Sequence, residues 1–485
     1  MEKQGFCKKK VKIVHHKSKT VSVKKEAGFV QYRHVNGLPK CRTERNGGAA
    51  MKERKRSLAA AAGGCVLLAS LLAAGCAAGT ETVPGPEEAP GITLTVCIAE
   101  AQWDEAVEEL ERMYLESHPE VADIQWELIR DSSYWDLMNM KLSTGNLPDI
   151  MEVEIGEELD QWYPHLIPLD DLPHLNQVFP DLLEAGKEDG QYYSVPQAVY
   201  GRGILYNMEL LRKAGWERRP ETRMELEQLC RDLEEVSVNP LMNSYYEIST
   251  WVKCGMLQMI SMKQYPELYI RLLMRGNESP LETDPEWQEL LDFCDLTLEY
   301  GTRRALQLDT DLARNYFAIG RYAMILNESA RNLMGLREAG QGVDETASLG
   351  PMLLSDNRRE NRLLMDVVRL GVTKSCSHPE AAKEFLDWLI SDEQALEYQK
   401  QHMGIMPVME EACRTGLCSM AQDTYYAYRT GRMTPELMGL LPEEAADAVS
   451  EDWARYIDGE ISREELLAIC EEYWNHYADL VTAAE

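Results

Sequence analysis

Between residues 92 and 153 the spacing of apolar positions alternates between two periods. Ile92–Ala99 alternates apolar and polar residues and is rich in β-branched side chains, which predicts a strand. Trp103, Ala106, Val107, Leu110 and Met113/Tyr114 then recur at helical spacing, predicting one buried face of a helix over Trp103–Ser117. Val121–Ile129 reads as a second strand, Tyr134–Leu142 as a helix and Asp149–Val153 as a third strand. Strands alternating with helices predict parallel βαβ units and an α/β sheet. Beyond residue 205 the pattern is mostly helical, with periodic segments around 208–236, 285–300, 379–399 and 463–481, and with no internal repeat or further long apolar span.

The punctuation of these segments agrees with the periods. His378-Pro379 opens a helix, because proline at the first helical position sacrifices no useful donor. Phe385, Trp388 and Leu389 follow at core spacing. Gly215 after Ala214 suits a left-handed helix end, and Pro220-Glu221-Thr222 restarts the chain into the next helix.

Upstream of the first strand the pattern is of another kind. Lys52, Arg54, Lys55 and Arg56 precede an apolar run from Leu58 to Ala74, with Leu-Ala-Ala-Gly-Cys at 72–76. A basic stretch, a short apolar stretch and small residues describe a secretory signal over 51–75. The run is shorter than the roughly 20 apolar residues of a membrane span. Cysteine directly after the small residues resembles the bacterial lipobox, which implies lipidation of Cys76; Ala73 stands where that pattern prefers leucine. Residues 1–50 carry 13 Lys and Arg against 3 acids, and Met51 stands directly before the basic stretch. Residues 1–50 therefore read as an extension ahead of the true start. Residues 76–91, rich in Pro, Gly, Glu and Ala, read as a flexible tether.

Charge removes some function classes. Residues 1–75 hold 17 of the 50 basic and 4 of the 81 acidic groups, leaving 33 against 77 and a net charge of −44. Nucleic-acid binding needs clustered Lys and Arg and is not expected, and the same balance opposes adhesion to anionic lipid. Of the eight cysteines after Cys76, Cys97, Cys230, Cys254, Cys294 and Cys470 sit in apolar patterns and read as small buried hydrophobes. Cys413 and Cys418 could form a local disulfide outside the cell. No zinc-type spacing, Gly-x-Ser-x-Gly elbow, His-Glu-x-x-His or phosphate loop is present, so no catalytic residues, metal or cofactor are expected.

An ordered series of segments carries a family resemblance. It runs through LSTGNLPDIMEVE (142–154), LIPLDDL (166–172), DGQYYSVPQAVYGRGILYNMELLRKAGWERRPETRMELEQL (189–229), YFAIGRYAMIL (316–326), GVTKSCSHPEAAKEFLDWLISDEQALEYQ (371–399) and GIMPV (404–408). Together these resemble the extracellular solute-binding proteins, family 1, of bacterial carbohydrate importers, relatives of the maltose-binding protein. The resemblance implies an α/β, two-lobe periplasmic-binding-protein-like fold (type II), with hinged lobes and a central cleft. Lobe 1 is expected over 92–199 and 366–405, and lobe 2 over 200–365 and 406–485. Crossings are placed near Pro196–Gly203, Leu364–Gly371 and Gly404–Pro407. Gly201 and Gly203 would serve either a hinge or close packing beside the strand.

A sugar site needs aromatic platforms together with carboxylates, amides and arginines that bond hydroxyl pairs. The expected ligand-binding residues are Trp103, Glu152, Glu154, Tyr200, Arg202, Trp251, Asn327, Glu328, Arg331, Asp366 and Arg369. Trp103 also fits its helix's apolar face, and Asp366 with Arg369 also reads as an ion pair holding the hinge. Many carbohydrate-binding members carry tryptophan shortly after Ala-Met, where this chain has Ala330. The expected role is a monomeric, lipid-anchored binding protein on the outer face of the bacterial cell membrane, handing a carbohydrate to the permease subunits of an ABC importer. The alternatives are the same fold binding a peptide or polyamine, or sensing a ligand for a membrane receptor, and a surface glycoside hydrolase.

Overall fold

A computed structural model describes residues 91–99, 103–129, 131–276, 281–340, 342–441 and 443–484. The segments 1–50 and 51–75, Cys76 and the tether up to residue 90 lie outside the described residues.

The first βαβ units form as the periods predict. Strand β1 (Ile92–Ile98) pairs in parallel with β2 (Val121–Leu128) and β3 (Ile150–Glu152), and helices α1 (Asp104–Ser117) and α2 (Asp131–Thr144) connect them. Strand β1 is covered on both faces. Leu94, Val96 and Ile98 pack with Ala106, Val107, Leu110 and Tyr114 of α1, while Cys97 on the reverse face joins Tyr134 and Met138 of α2. Each such aliphatic side chain removed from water contributes about 1.5–3 kcal/mol.

Among the described residues, nine strands make one sheet. The others are β4 (Val195–Asn207), β5 (Asn239–Met242), β6 (Tyr322–Ser329), β7 (Ala347–Gly350), β8 (Leu363–Val372) and β9 (Met433–Glu436). The main path runs β2-β1-β3-β8-β4-β6-β5, with β7 on β4 and β9 on β8. The two long strands β4 and β8 are antiparallel, and each serves two neighbourhoods. The end of β8 pairs with β3, whereas its start pairs with β9. The second half of β4 pairs with β6 and β7. Two lobes are thus strung on the same pair of strands. A third segment crosses beside them, where Met406 and Val199 exchange both backbone hydrogen bonds at 3.0 Å.

Lobe 2 has its own core, built from α3 (Arg223–Glu235), α4 (Ile248–Ile260), α5 (Pro285–Tyr300) and the C-terminal helices, which pack against β5 and β6, while Ala313 and Phe317 of α6 (Thr310–Ala318) join the other main cluster. Helix α7 (Leu333–Ala339) packs instead with Met403 and Ile405 of the crossing segment. The expected caps are present: Gly215 is left-handed at φ 85°, Thr222 accepts from Glu225 N at 3.2 Å, and Pro379 opens α8 (Pro379–Ser391). The periodic segment 379–399 breaks once, at Asp392, whose carboxylate caps the following turn.

Two expectations are resolved here. Cys413 and Cys418 are not bridged. Cys413 turns its thiol inward, donating to Pro407 O at 3.1 Å, and burial pushes its pKa up to about 12. Gly201 and Gly203 serve packing. Both lie inside the paired length of β4, and a Cβ on Gly203 would stand 2.1 Å from Gly350 O. At Gly201 the obstacles are side chains rather than backbone, the end of Leu363 at 2.3 Å and Thr424 Oγ1 at 2.8 Å. Gly203→Ala is therefore expected to destabilise the protein by about 1–3 kcal/mol, and Gly201→Ala by less. Denaturant midpoints of the two variants check that order.

Candidate functional site

The carboxyl ends of β1 and β3 lead into a cavity of about 1230 Å³ between the lobes, where ligands of open α/β sheets sit. Lobe 1 contributes Ala99 after β1, Glu152 at the end of β3, Glu154 beyond it, and Trp135 from α2. Lobe 2 contributes the starts of α4 and α6 and the segment after β6. Helix starts line a pocket readily, because their first turns carry unbonded N–H groups and short polar residues.

The floor is a chain of buried ion pairs. Tyr134 Oη donates to Glu152 O at 2.8 Å and to Cys97 O at 3.3 Å, tying the ends of β3 and β1 together. The Glu152 carboxylate then accepts from Ala99 N at 2.8 Å and faces Arg331, 3.2 Å away. Arg331 also donates to Ala99 O at 2.8 Å and lies 4.0 Å from Asp366. Its guanidinium covers the ring of Trp103, 5.4 Å from the ring centre. On the crossing strands Tyr200 pairs with Asp366, and the two-residue period puts Arg202 on the same face as Tyr200. Arg202 meets Asp366 at 3.2 Å and donates to Asn327 O at 3.3 Å. In lobe 2, Arg314 meets the buried Glu328 at 3.0 Å. Burial disfavours both charged guanidiniums, yet the groups facing them outweigh it. Cys254, Asp366 and Glu328 raise the pKa of Arg202, and Glu328 with Asp311 raises that of Arg314.

Five of the expected residues therefore line the cavity: Glu152, Glu154, Arg202, Arg331 and Asp366. The others stand behind it. Trp103 is 2% exposed under Arg331, with Tyr200 beside it at 6.2 Å between ring centres. Asn327 and Glu328 hold Arg202 and Arg314 in place. Arg369 is fully buried and bonds Glu436 at 2.6 Å, and it is Glu436 that reaches the cavity wall. The hinge ion pair read from Asp366 and Arg369 is replaced by two separate pairs, because residues three apart on one strand point to opposite faces. Trp251 turns into the lobe 2 core, packed on Tyr245 and Trp453 at 4.7 and 5.6 Å. The sequence reasoning missed Trp135, Tyr246, Lys253 and Arg314. Tyr246 carried a signal, since it directly follows a core tyrosine just before a helix start.

Two α/β lobes on shared crossing strands, with a polar cavity between them, define a hinged binding protein. The chain matches the pattern of the bacterial extracellular solute-binding proteins over residues 106–421 and belongs to that family, whose members bind solutes. No curated protein matches it in sequence. Among solved structures it is similar to the binding protein RafE in complex with raffinose, at 15% identity and a TM-score of 0.67, over 80% of this chain and 100% of that one. It is similar to MsmE of Bacillus subtilis in an open conformation, at 14% identity and a TM-score of 0.66, over 81% and 99% of the two chains. Maltose-bound MalE3 of T. maritima matches at 16% identity and a TM-score of 0.64, over 79% and 99%.

Arg331 is the member of the floor with the most partners. Truncating it leaves Glu152 buried without its cation, so Arg331→Ala should cost about 3–5 kcal/mol of stability. Adding Glu152→Gln should recover part of that loss. Thermal or urea unfolding of the two single variants and the double variant measures the coupling.

Proposed function

We propose that the protein captures a carbohydrate between its lobes at the bacterial cell surface, anchored through a lipid on Cys76, and delivers it to an ABC importer. The observation that carries this reading is the interlobe cavity itself. It is roomy, polar, built on crossing strands able to hinge, and belongs to a chain of the solute-binding family. The neighbours support the choice of solute, since RafE is seen in complex with raffinose and MalE3 bound to maltose. Trp135 and the exposed ring of Tyr246 line opposite walls and supply apolar faces for sugar C–H surfaces. Carboxylates and amides between them suit paired hydroxyls. The lobes close on the solute, and the closed form is what the permease reads.

Thermal-shift screening of residues 77–485 against mono- and oligosaccharides, with peptides and polyamines as controls, tests the reading. A sugar at 100 times its dissociation constant should stabilise the fold by about 2.7 kcal/mol. Shifts confined to peptides or polyamines would discard the carbohydrate assignment. With a sugar identified, Trp135→Ala should weaken binding by at least about 1 kcal/mol, roughly fivefold in Kd by calorimetry.

The anchor has a separate test. In bacteria producing the full chain, Cys76→Ser should move the protein from the membrane fraction into the soluble fraction. Continued membrane association of that variant would rule out Cys76 as the anchor.

A further inference from the structure

Eleven carboxylates but only four basic groups line the interlobe cavity. The basic groups are Arg202, Arg314, Arg331 and Lys253. Every arginine among them already faces a carboxylate within hydrogen-bond distance: Asp366 at 3.2 Å, Glu328 at 3.0 Å and Glu152 at 3.2 Å respectively. No arginine is left over to receive an anion. An incoming carboxylate or phosphate would lose its hydration and meet a surplus of like charge, and it could engage an arginine only by breaking a buried pair.

The excess acids have a definite place. Glu105 lies at the start of α1 on lobe 1, Glu247 directly before α4 on lobe 2, and Glu338 on α7; all three are exposed where they line the cavity. They stand above a neutralised floor on elements that converge on one space. A cleft lined by one sign of charge between low-dielectric walls focuses its field, which raises the local concentration of the opposite charge. The acidity of the chain as a whole would scatter carboxylates over every surface. Here, in contrast, the arginine pairs of the floor are saturated and the exposed acids gather on the rim.

We infer that the cleft sorts sugars by charge, taking amino sugars in preference to neutral ones and rejecting uronic acids and sugar phosphates. This rests on the carbohydrate reading of the same cavity. A protonated amine would sit among the rim carboxylates in charge-assisted hydrogen bonds, while the ring hydroxyls use the floor and the rings of Trp135 and Tyr246.

The test is calorimetry of residues 77–485 with glucose-, galactose- and mannose-based oligosaccharides, each as the neutral, 2-amino and uronate form, at low and high salt. The expected result is amine over neutral by roughly tenfold at low salt, a gap that narrows as salt screens the rim, and no uronate binding. The triple variant Glu105→Gln, Glu247→Gln, Glu338→Gln should lose the amine preference while keeping the neutral sugar. It keeps every carboxylate that bonds Arg202, Arg314 and Arg331, and its melting temperature reports that it is folded. A uronate bound as tightly as its neutral counterpart would overturn the proposal and leave the carbohydrate reading standing. An amine preference that survives in the triple variant would overturn the role of the rim. Binding of polyamines with no sugar at all would overturn both readings.

Discussion

Backbone pairing at Val199 is the constraint on which the rest of the molecule depends. Its strand is bonded to β8 on one side, and Val199 itself exchanges both hydrogen bonds with Met406. Three passages of chain are therefore locked side by side between the lobes. Because the lobe 1 strands attach at one end of these passages and the lobe 2 strands at the other, any relative motion of the lobes is a bend or twist of the same narrow ribbon. The ribbon is stiffened where it enters lobe 2, since Gly203 brings its backbone against Gly350 with no side chain between them. The cavity walls are consequently held by helices and strand ends whose mutual placement is decided at the crossing.

The cavity floor follows from that placement and from the cost of burying charge. An arginine taken out of water requires a partner, and the crossing strands supply one, with Arg202 and Asp366 on the same face of adjacent strands. Arg331 comes from the far side and satisfies Glu152 across the gap between lobes. The result is a lattice in which each guanidinium faces a carboxylate, with exposed acids standing beyond it. Binding chemistry is thereby divided. The floor supplies shape and fixed dipoles, and the rim supplies the field.

Much of the fold was legible in the chain. The strands and helices from 92 to 153, the helix opening at Pro379, the left-handed cap at Gly215 and the crossing segments could be read from period, turn chemistry and motif order. The limits of sequence reading lay in direction rather than in element type. Trp251 follows a helix start, as a ligand contact would, but helix α4 is apolar nearly all round, and such a helix buries every face. Tyr134 and Trp135 are sequence neighbours on a helix with little amphipathic pattern, yet the first ties two strands together and the second faces the cavity. Arg369, three residues after Asp366 on the same strand, points to the opposite face and meets Glu436 instead. Glu328 and Asn327 were found in the right region but hold arginines from behind the wall. Position along the chain located the neighbourhood of the site, and packing decided which atoms reach it.

The division between floor and rim has a consequence for how such a protein can diverge. A single change to Glu152, Arg331, Arg202 or Asp366 strands a buried charge, so these positions can drift only as compensated pairs. The rim acids carry no comparable burden, sitting exposed at helix starts and on α7. Duplicated copies of this gene can explore new solutes one substitution at a time along the rim, while the lattice beneath keeps the lobes in register. Specificity is thus free to evolve faster than the frame that carries it.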